Sequence, residues 1–307
     1  MTIANKILRR QRILKGFVAG AVERFVSQNL YRPIKSVVRV KKYWHVINIG
    51  FQNNLQYRFN YLTRTLFSFI PLLAMLSLWR TIYAGNERAG EQNGFSQEQM
   101  IFYYLLVAVV DVFTAVNEDD WQIAADIREG NISQFLLKPI DYLWYRLCLF
   151  LSGRIAFVTL ALLPLAAFLF YFRHYVQLPA SVTAWMVFPV SLVLTALLQF
   201  FISYAMAMLA FWLLEISTLI FILFAFEYLA SGHLFPLDIL PAGLKQILFC
   251  TPFPYQLYFP IQIYLGKVAG LELWRGLLIQ SLWVLVAYAF ARAMWRRGIK
   301  KYSAFGG

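Results

Sequence analysis

Apolar residues in this chain fall in blocks of roughly twenty positions, the length a helix needs to cross about 30 Å of hydrocarbon. Between Arg64 and Arg80 lie fifteen uncharged residues, TLFSFIPLLAMLSLW. Snorkelling of both arginines extends them to a full crossing, predicted at 64–83. A second block, 100–117, is interrupted by Asp111, and a third runs over 147–172. From Tyr175 to Leu214 no charged residue occurs for forty positions, too many for one helix. The pattern predicts a crossing at 182–209, a tight turn near Trp212, and a fifth crossing at 213–229 that carries Glu215 and Glu227. A last block at 274–295 gives six spans, so the fold class is an all-α integral membrane protein.

The stretches between these blocks are of three kinds. Residues 1–62 form a basic, amphipathic preamble. Leu8, Leu14, Phe17, Val22 and Phe25 recur at near-helical spacing, and Val37, Trp44, Ile47, Phe51, Leu55 and Phe59 do so again after Pro33. Helices lying in the headgroup region fit both runs. Residues 121–146 form a polar island punctuated by glycine and proline. Residues 231–267 are apolar enough for lipid but hold five of the eleven prolines, and only Asp238, Lys245 and Lys267 carry charge. A spanning helix through repeated prolines would forfeit backbone hydrogen bonds in lipid. A re-entrant segment of short helices is therefore predicted there, with Gly232, Phe235, Pro236, Pro241, Pro252 and Pro254 at its turns. Two short crossings within 233–272 are the alternative, giving eight spans with the same parity.

Charge orients the pattern. Thirteen of the 28 Lys and Arg lie before Phe67, and Arg292, Arg296, Arg297, Lys300 and Lys301 lie in the last sixteen residues. With six spans, 22 basic residues face one side and 6 the other, which places both termini in the cytoplasm of a multi-pass inner (plasma) membrane protein. The net charge of +13 suits anionic lipid headgroups. No aromatic-studded RNA motif or recognition helix accompanies these basic residues, so nucleic acid is not expected as a partner. FVAGAV is too short for a signal-peptide core, and Glu23 and Arg24 follow it. Cys148 and Cys250 fall on opposite sides of this topology, which precludes an intrachain disulfide.

Candidate chemistry is sparse. Gly266-Lys267 lacks the earlier glycine and the following Ser or Thr of a Walker A motif, so no ATP hydrolysis is expected from this chain. His45, His174 and His233 lie in different segments with no Cys or carboxylate at ligand spacing, and neither a serine-hydrolase elbow nor a zinc-protease helix occurs. No catalytic residue, cofactor site or metal site is assigned. Asp111, Glu215 and Glu227 stand out because a carboxylate in hydrocarbon costs several kcal/mol unless paired, hydrated or neutral. Asp111 reads equally as a hydrogen-bond partner of a neighbouring helix or as a cavity-lining acid. Glu215 reads as a helix N-terminal acid, and Glu227 as an outer gate or loop anchor. Ion- or proton-coupled transport through these acids is the rival reading, although no basic intramembrane partner is evident at relay spacing.

In the island, Asn131 is predicted to cap a short helix from Ile132 to Leu137 that Pro139 ends, and Asp141 to cap the following span. Ile132, Phe135 and Leu136 share a face, forming an apolar knob beside Arg128, Glu129, Gly130 and Lys138. Pattern alone leaves two readings of equal weight: a docking element for a soluble partner, or a helix with that face in lipid.

Three stretches resemble permeases of the ABC-2 type, the type V exporter fold. They are DIREGNISQFLLKPIDYLWYRL, similar to the family's loop between spans 2 and 3; SGHLFPLDILPAGLKQILFCTPFPYQLYFP, similar to its outer re-entrant segment; and the tail RRGIKKYSAFGG, which resembles the ending of one uncharacterised bacterial branch. The likeness runs from about Tyr43 to Gly307. It implies that the helix Ile132 to Pro139 is a coupling helix docking on a separate ATPase. Two ATPase copies would carry ATP and Mg, and the permease would pair with a second permease, identical or paralogous. The two coupling helices would then rock the spans and release cargo outward. An aromatic content of 18% suits an amphipathic or lipid-like cargo, and aromatic belts explain it equally well.

Overall fold

A computed structural model describes residues 31–85, 94–116, 119–179, 181–213 and 215–302. The first amphipathic run of the preamble, residues 86–93 after the first span, and the end of the tail motif lie outside the described residues. Among the described residues eleven helices follow one another: α1 (Tyr31–Gln56), α2 (Arg58–Gly85), α3 (Gln97–Thr114), α4 (Asp119–Arg128), α5 (Ile132–Leu136), α6 (Tyr142–Tyr171), α7 (Val182–Ala207), α8 (Ser217–Ala230), α9 (Ala242–Phe249), α10 (Tyr258–Tyr264) and α11 (Gly270–Lys301). Short 3-10 turns cover Met208–Phe211, Leu237–Ile239 and Phe253–Tyr255, and no strand occurs among the described residues.

Four of these helices are long and apolar enough to cross a membrane: α2, α6, α7 with its 3-10 extension, and α11. They coincide with the crossings expected at 64–83, 147–172, 182–209 and 274–295, each extended by a few residues. The blocks at 100–117 and 213–229 correspond to α3, 18 residues long, and α8, 14 residues long. At 1.5 Å per residue α8 measures about 21 Å, short of a full hydrocarbon layer.

Polar caps set where helices begin. Ser96 accepts from the Gln99 amide, and the Gln99 side chain returns a bond to the Ser96 amide, a reciprocal cap at the start of α3. Asp141 accepts from the Trp144 amide to open α6, as the island's pattern predicts, and Ser181 from the Ala184 amide to open α7. Asn131 departs from expectation. It precedes α5 in a helical conformation with no side-chain cap, its Nδ2 donating instead to Glu129 Oε2 at 3.2 Å. The helix is correspondingly shorter, ending at Leu136 rather than Leu137.

The core gathers around α3, whose residues Met100 to Val107 are all buried. The most extensive helix pair is α7 with α11. Gln280 on α11, fully buried, lies with its Nε2 3.2 Å from Ser191 O, 3.1 Å from Thr195 Oγ1 and 2.9 Å from Tyr255 O, and accepts from Ser191 Oγ at 2.9 Å. A buried amide in an apolar bundle is stable only when satisfied in this way. Pro71, Pro164 and Pro189 interrupt α2, α6 and α7, whereas α11 contains no proline.

The proline-rich segment 231–267 folds as short pieces. Pro236, Pro241 and Pro252 each sit immediately before a helical turn or helix, where a missing amide and a fixed φ cost nothing. Pro254 is buried in the third of these turns. Asp238 ties the pieces together, accepting from Lys245 Nζ at 2.6 Å, Tyr258 Oη at 2.7 Å and Gln262 Nε2 at 3.0 Å.

Candidate functional site

Two places concentrate the residues that the sequence singled out. One is the loop from α4 to α6. Asp126 near the end of α4 and Arg146 on α6 form an ion pair, with Tyr142 Oη donating to Asp126 at 2.8 Å and accepting from Arg146 Nε at 3.0 Å. This pairing brings the two ends of the island together. Gly130 reverses the chain with φ +79°, a left-handed conformation in which a side chain would be strained.

The expected apolar knob is divided. Ile132 is 0% exposed and belongs to the core, and Phe135 packs against the rings of Tyr142 and Tyr145 at centroid distances of 5.2 and 4.9 Å. Lys138 places its ammonium 5.0 Å from the Phe135 centroid. Leu136 remains 53% exposed and Leu137, just past the helix, 89%. Helical spacing assigns Ile132, Phe135 and Leu136 to one face, yet the body of the protein takes the first two for itself and leaves Leu136 outside. What remains outward is Leu136, Leu137, Lys138 and Pro139, with Arg128 and Glu129 also exposed nearby.

The second place is where α3 meets the start of the proline-rich segment. Gly232 has φ +96°, and a Cβ there would lie 2.7 Å from Tyr103 Oη. Tyr103 Oη donates to Gly232 O at 2.7 Å and Tyr104 Oη to Leu234 O at 2.6 Å, while Trp79 Nε1 donates to Tyr104 Oη at 2.8 Å. Between those two carbonyls, His233 Nε2 lies 3.0 Å from Asp111 Oδ1, and its Nδ1 lies 2.7 Å from Ser231 Oγ. A neutral ring with its proton on Nε2 satisfies both bonds. Tyr228 stacks on the imidazole at 5.0 Å and 19°. Three consecutive residues of the segment are thus held by α3. Arg154 on α6 adds a cation, its Nη1 donating to the carbonyls of Asp111 and Val112 at 3.2 and 3.0 Å.

Asp111 therefore has basic neighbours that sequence spacing did not reveal. His233 is 122 residues away and Arg154 is 43, and only the tertiary fold brings them together. The bonded series Ser231, His233, Asp111 has the residue types of a hydrolytic triad, but Ser231 is fully buried and borders neither adjoining cavity. Its hydroxyl anchors the histidine.

Those two cavities share Arg64, Asp111, Ala115 and His233. The first, about 280 Å³, is walled by Phe69, Leu72, Met75, Val107 and Phe157 and also touches Arg154. The second, about 370 Å³, runs between α7 and α8 past Gln199, Ser203, Phe221 and Phe224 and reaches Glu227. Glu227 and Asp111 thus border one space. Glu215 stands apart. It is exposed just before α8 and accepts from the Ser217 hydroxyl and, at 2.8 Å, from the Ser217 amide, which hold its carboxyl below the usual carboxylate range. The N-terminal acid reading fits this position. Phe235 packs on the main core, Pro236 is buried and Pro241 exposed, so these mark the segment's folding rather than the cavity wall.

No curated protein matches the chain. A family model described as ABC-2 family transporter protein matches residues 69–306, which include every candidate residue above except Arg64. That match, over an all-helical chain with several membrane-length apolar helices, shows that the protein belongs to the ABC-2 transporter family, as a membrane subunit that is not itself catalytic and whose kind associates with an ABC ATPase.

Proposed function

We propose that the chain is the permease of an ATP-driven exporter in the inner (plasma) membrane, with six spans, both termini cytoplasmic and segment 231–267 re-entrant from the outer side. In this reading α3 and α8 are the two shorter crossings, and the loop 121–146 is cytoplasmic. Two ATPase subunits bind ATP and Mg and close on each other, pushing the loop of this chain and that of a second permease, identical or paralogous. The cavities beside Asp111 and His233 then exchange sides and release an amphipathic or lipid-like substrate past the proline-rich segments. Asp111 and Glu227 line that route, and surrounding lipids complete the assembly.

The observation that carries the reading is the tip of the loop. Leu136, 53% exposed on a helix pinned to the core by a fully buried isoleucine, and Leu137, 89% exposed just past that helix, form a small apolar prong rimmed by Arg128, Glu129 and Lys138. Burying one such leucine in a socket contributes about 1.5–3 kcal/mol. Leu136→Asp and Leu137→Asp are therefore expected to weaken co-purification of the ATPase by roughly 10- to 150-fold while the permease stays monodisperse. Undiminished capture by both variants would remove the docking assignment. Phe135→Asp is the wrong probe, because Phe135 packs inward on Tyr142 and Tyr145.

The Asp111–His233 pair between two cavities favours one rival, proton- or ion-coupled transport. Transport that persists after ATP depletion and disappears in Asp111→Asn would select it.

A further inference from the structure

We infer that α11 is the rod that carries motion from the loop 121–146 to the proline-rich segment, with Tyr302 and Arg292 as the positioning residues that clamp it to the loop. The inference rests on the reading of that loop as the ATPase-docking element and adds the route by which a push travels.

The clamp holds the loop on both sides of α5. Before it, Tyr302 Oη donates to Gly130 O at 2.9 Å, and with its single proton so committed it accepts from Ser133 Oγ at 2.9 Å. After it, Arg292 Nη1 donates to Asp141 Oδ2 at 2.6 Å, on the residue that caps α6. Trp295 stacks on Tyr142 at 5.0 Å and 14°. Arg292 and Trp295 lie three residues apart on one face of α11, and Tyr302 is the extended residue that ends it, just past Lys301. Phe211, at the end of α7, closes the same end: it lies so near Gly298 that a Cβ there would be 2.2 Å from its ring, and the ring meets Tyr302 edge-on at 6.0 Å.

The second grip is at Gln280, ten residues beyond the start of α11, whose Nε2 donates to Tyr255 O in the proline-rich segment at 2.9 Å. From Gln280 to the end of α11 is about 30 Å along the axis. Among the described membrane-length helices, α2, α6 and α7 each contain a proline and α11 does not. Internal proline deletes a helical hydrogen bond and permits bending, so α11 is the stiffest of the four. A rigid element gripped at two separated points transmits displacement between them without losing it to local flexing.

The test uses the permease purified with its ATPase in nanodiscs, carrying spin labels at Leu178 and Leu244, two exposed positions. In the parent, trapping with ATP and vanadate shifts the distance between the labels. Tyr302→Phe removes one hydroxyl and keeps the ring on Phe211; Arg292→Met removes the ion pair. The double variant is expected to retain ATPase capture, hydrolysis and monodispersity while losing more than half of the distance shift, and Arg292→Lys to restore it. A full shift in the double variant, or no better shift for Arg292→Lys than for Arg292→Met, overturns the clamp. A parent that captures no ATPase or shows no shift refutes the exporter reading itself and the clamp with it. Loss of ATPase capture in the double variant alone would instead make these residues part of the docking surface and overturn the transmission role.

Discussion

Breaking the ion pair between Asp126 and Arg146 is the most direct test of how the island is built. Asp126→Leu leaves a guanidinium that is 6% exposed facing an apolar group. Removing one partner of a buried pair costs about 3–5 kcal/mol, because the remaining charge stays desolvated. The lower end applies here, since the Asp126 side chain keeps 19% of its surface in solvent and Arg146 retains Tyr142 Oη at 3.0 Å and Gln122 Oε1 at 3.4 Å. Cys148, two residues beyond Arg146 on α6 and buried, reports the loss. In a Cys250→Ser parent it is the only thiol. A penalty of about 3 kcal/mol should accelerate its labelling roughly 100-fold when opening is rapid relative to reaction. Adding Arg146→Met removes the stranded charge and should recover most of the slow labelling. Labelling of Asp126→Leu within threefold of the parent, or a double variant as fast as the single, would refute the account.

Two further predictions concern packing. Gln280→Leu removes two donated bonds and one accepted bond; at about 0.6 kcal/mol each, the average inside membranes, thermal unfolding in detergent should register a loss of roughly 2 kcal/mol. Gly298→Val drives a side chain into Phe211 and should destabilise by about 1–3 kcal/mol, with Phe211→Ala relieving part of that cost in the double variant, as a double-mutant cycle would record.

Much of the architecture was legible along the chain because lipid imposes a length on apolar blocks. The stretches 64–83, 147–172, 182–209 and 274–295 each fall within or very nearly on a membrane-length helix, and Asp141 caps α6 as its position before an apolar run implies. The broken segment was legible for the same reason, since Pro236, Pro241 and Pro252 can start helices but cannot continue them. The candidate site was only half legible. Periodicity put Ile132, Phe135 and Leu136 on one face but could not tell which of them the bundle would cover; the answer lay in Tyr142 and Tyr145, which fold back over Phe135. Asp111 was conspicuous as an acid among apolar residues, while His233 and Arg154 were not, because a contact between distant segments leaves no periodic trace.

The sequence by itself determined the solvent, the family resemblance and the order of elements, since these depend on local quantities: block length, charge placement, and proline and cap positions. Tertiary structure alone decided which polar groups meet. It joined Asp126 to Arg146, Asp111 to His233, and Tyr302 to Gly130, contacts spanning 20, 122 and 172 residues. In an interior where an unpaired polar group is costly, such partners are chosen by the packing of whole helices, and neighbouring residues carry no record of that choice.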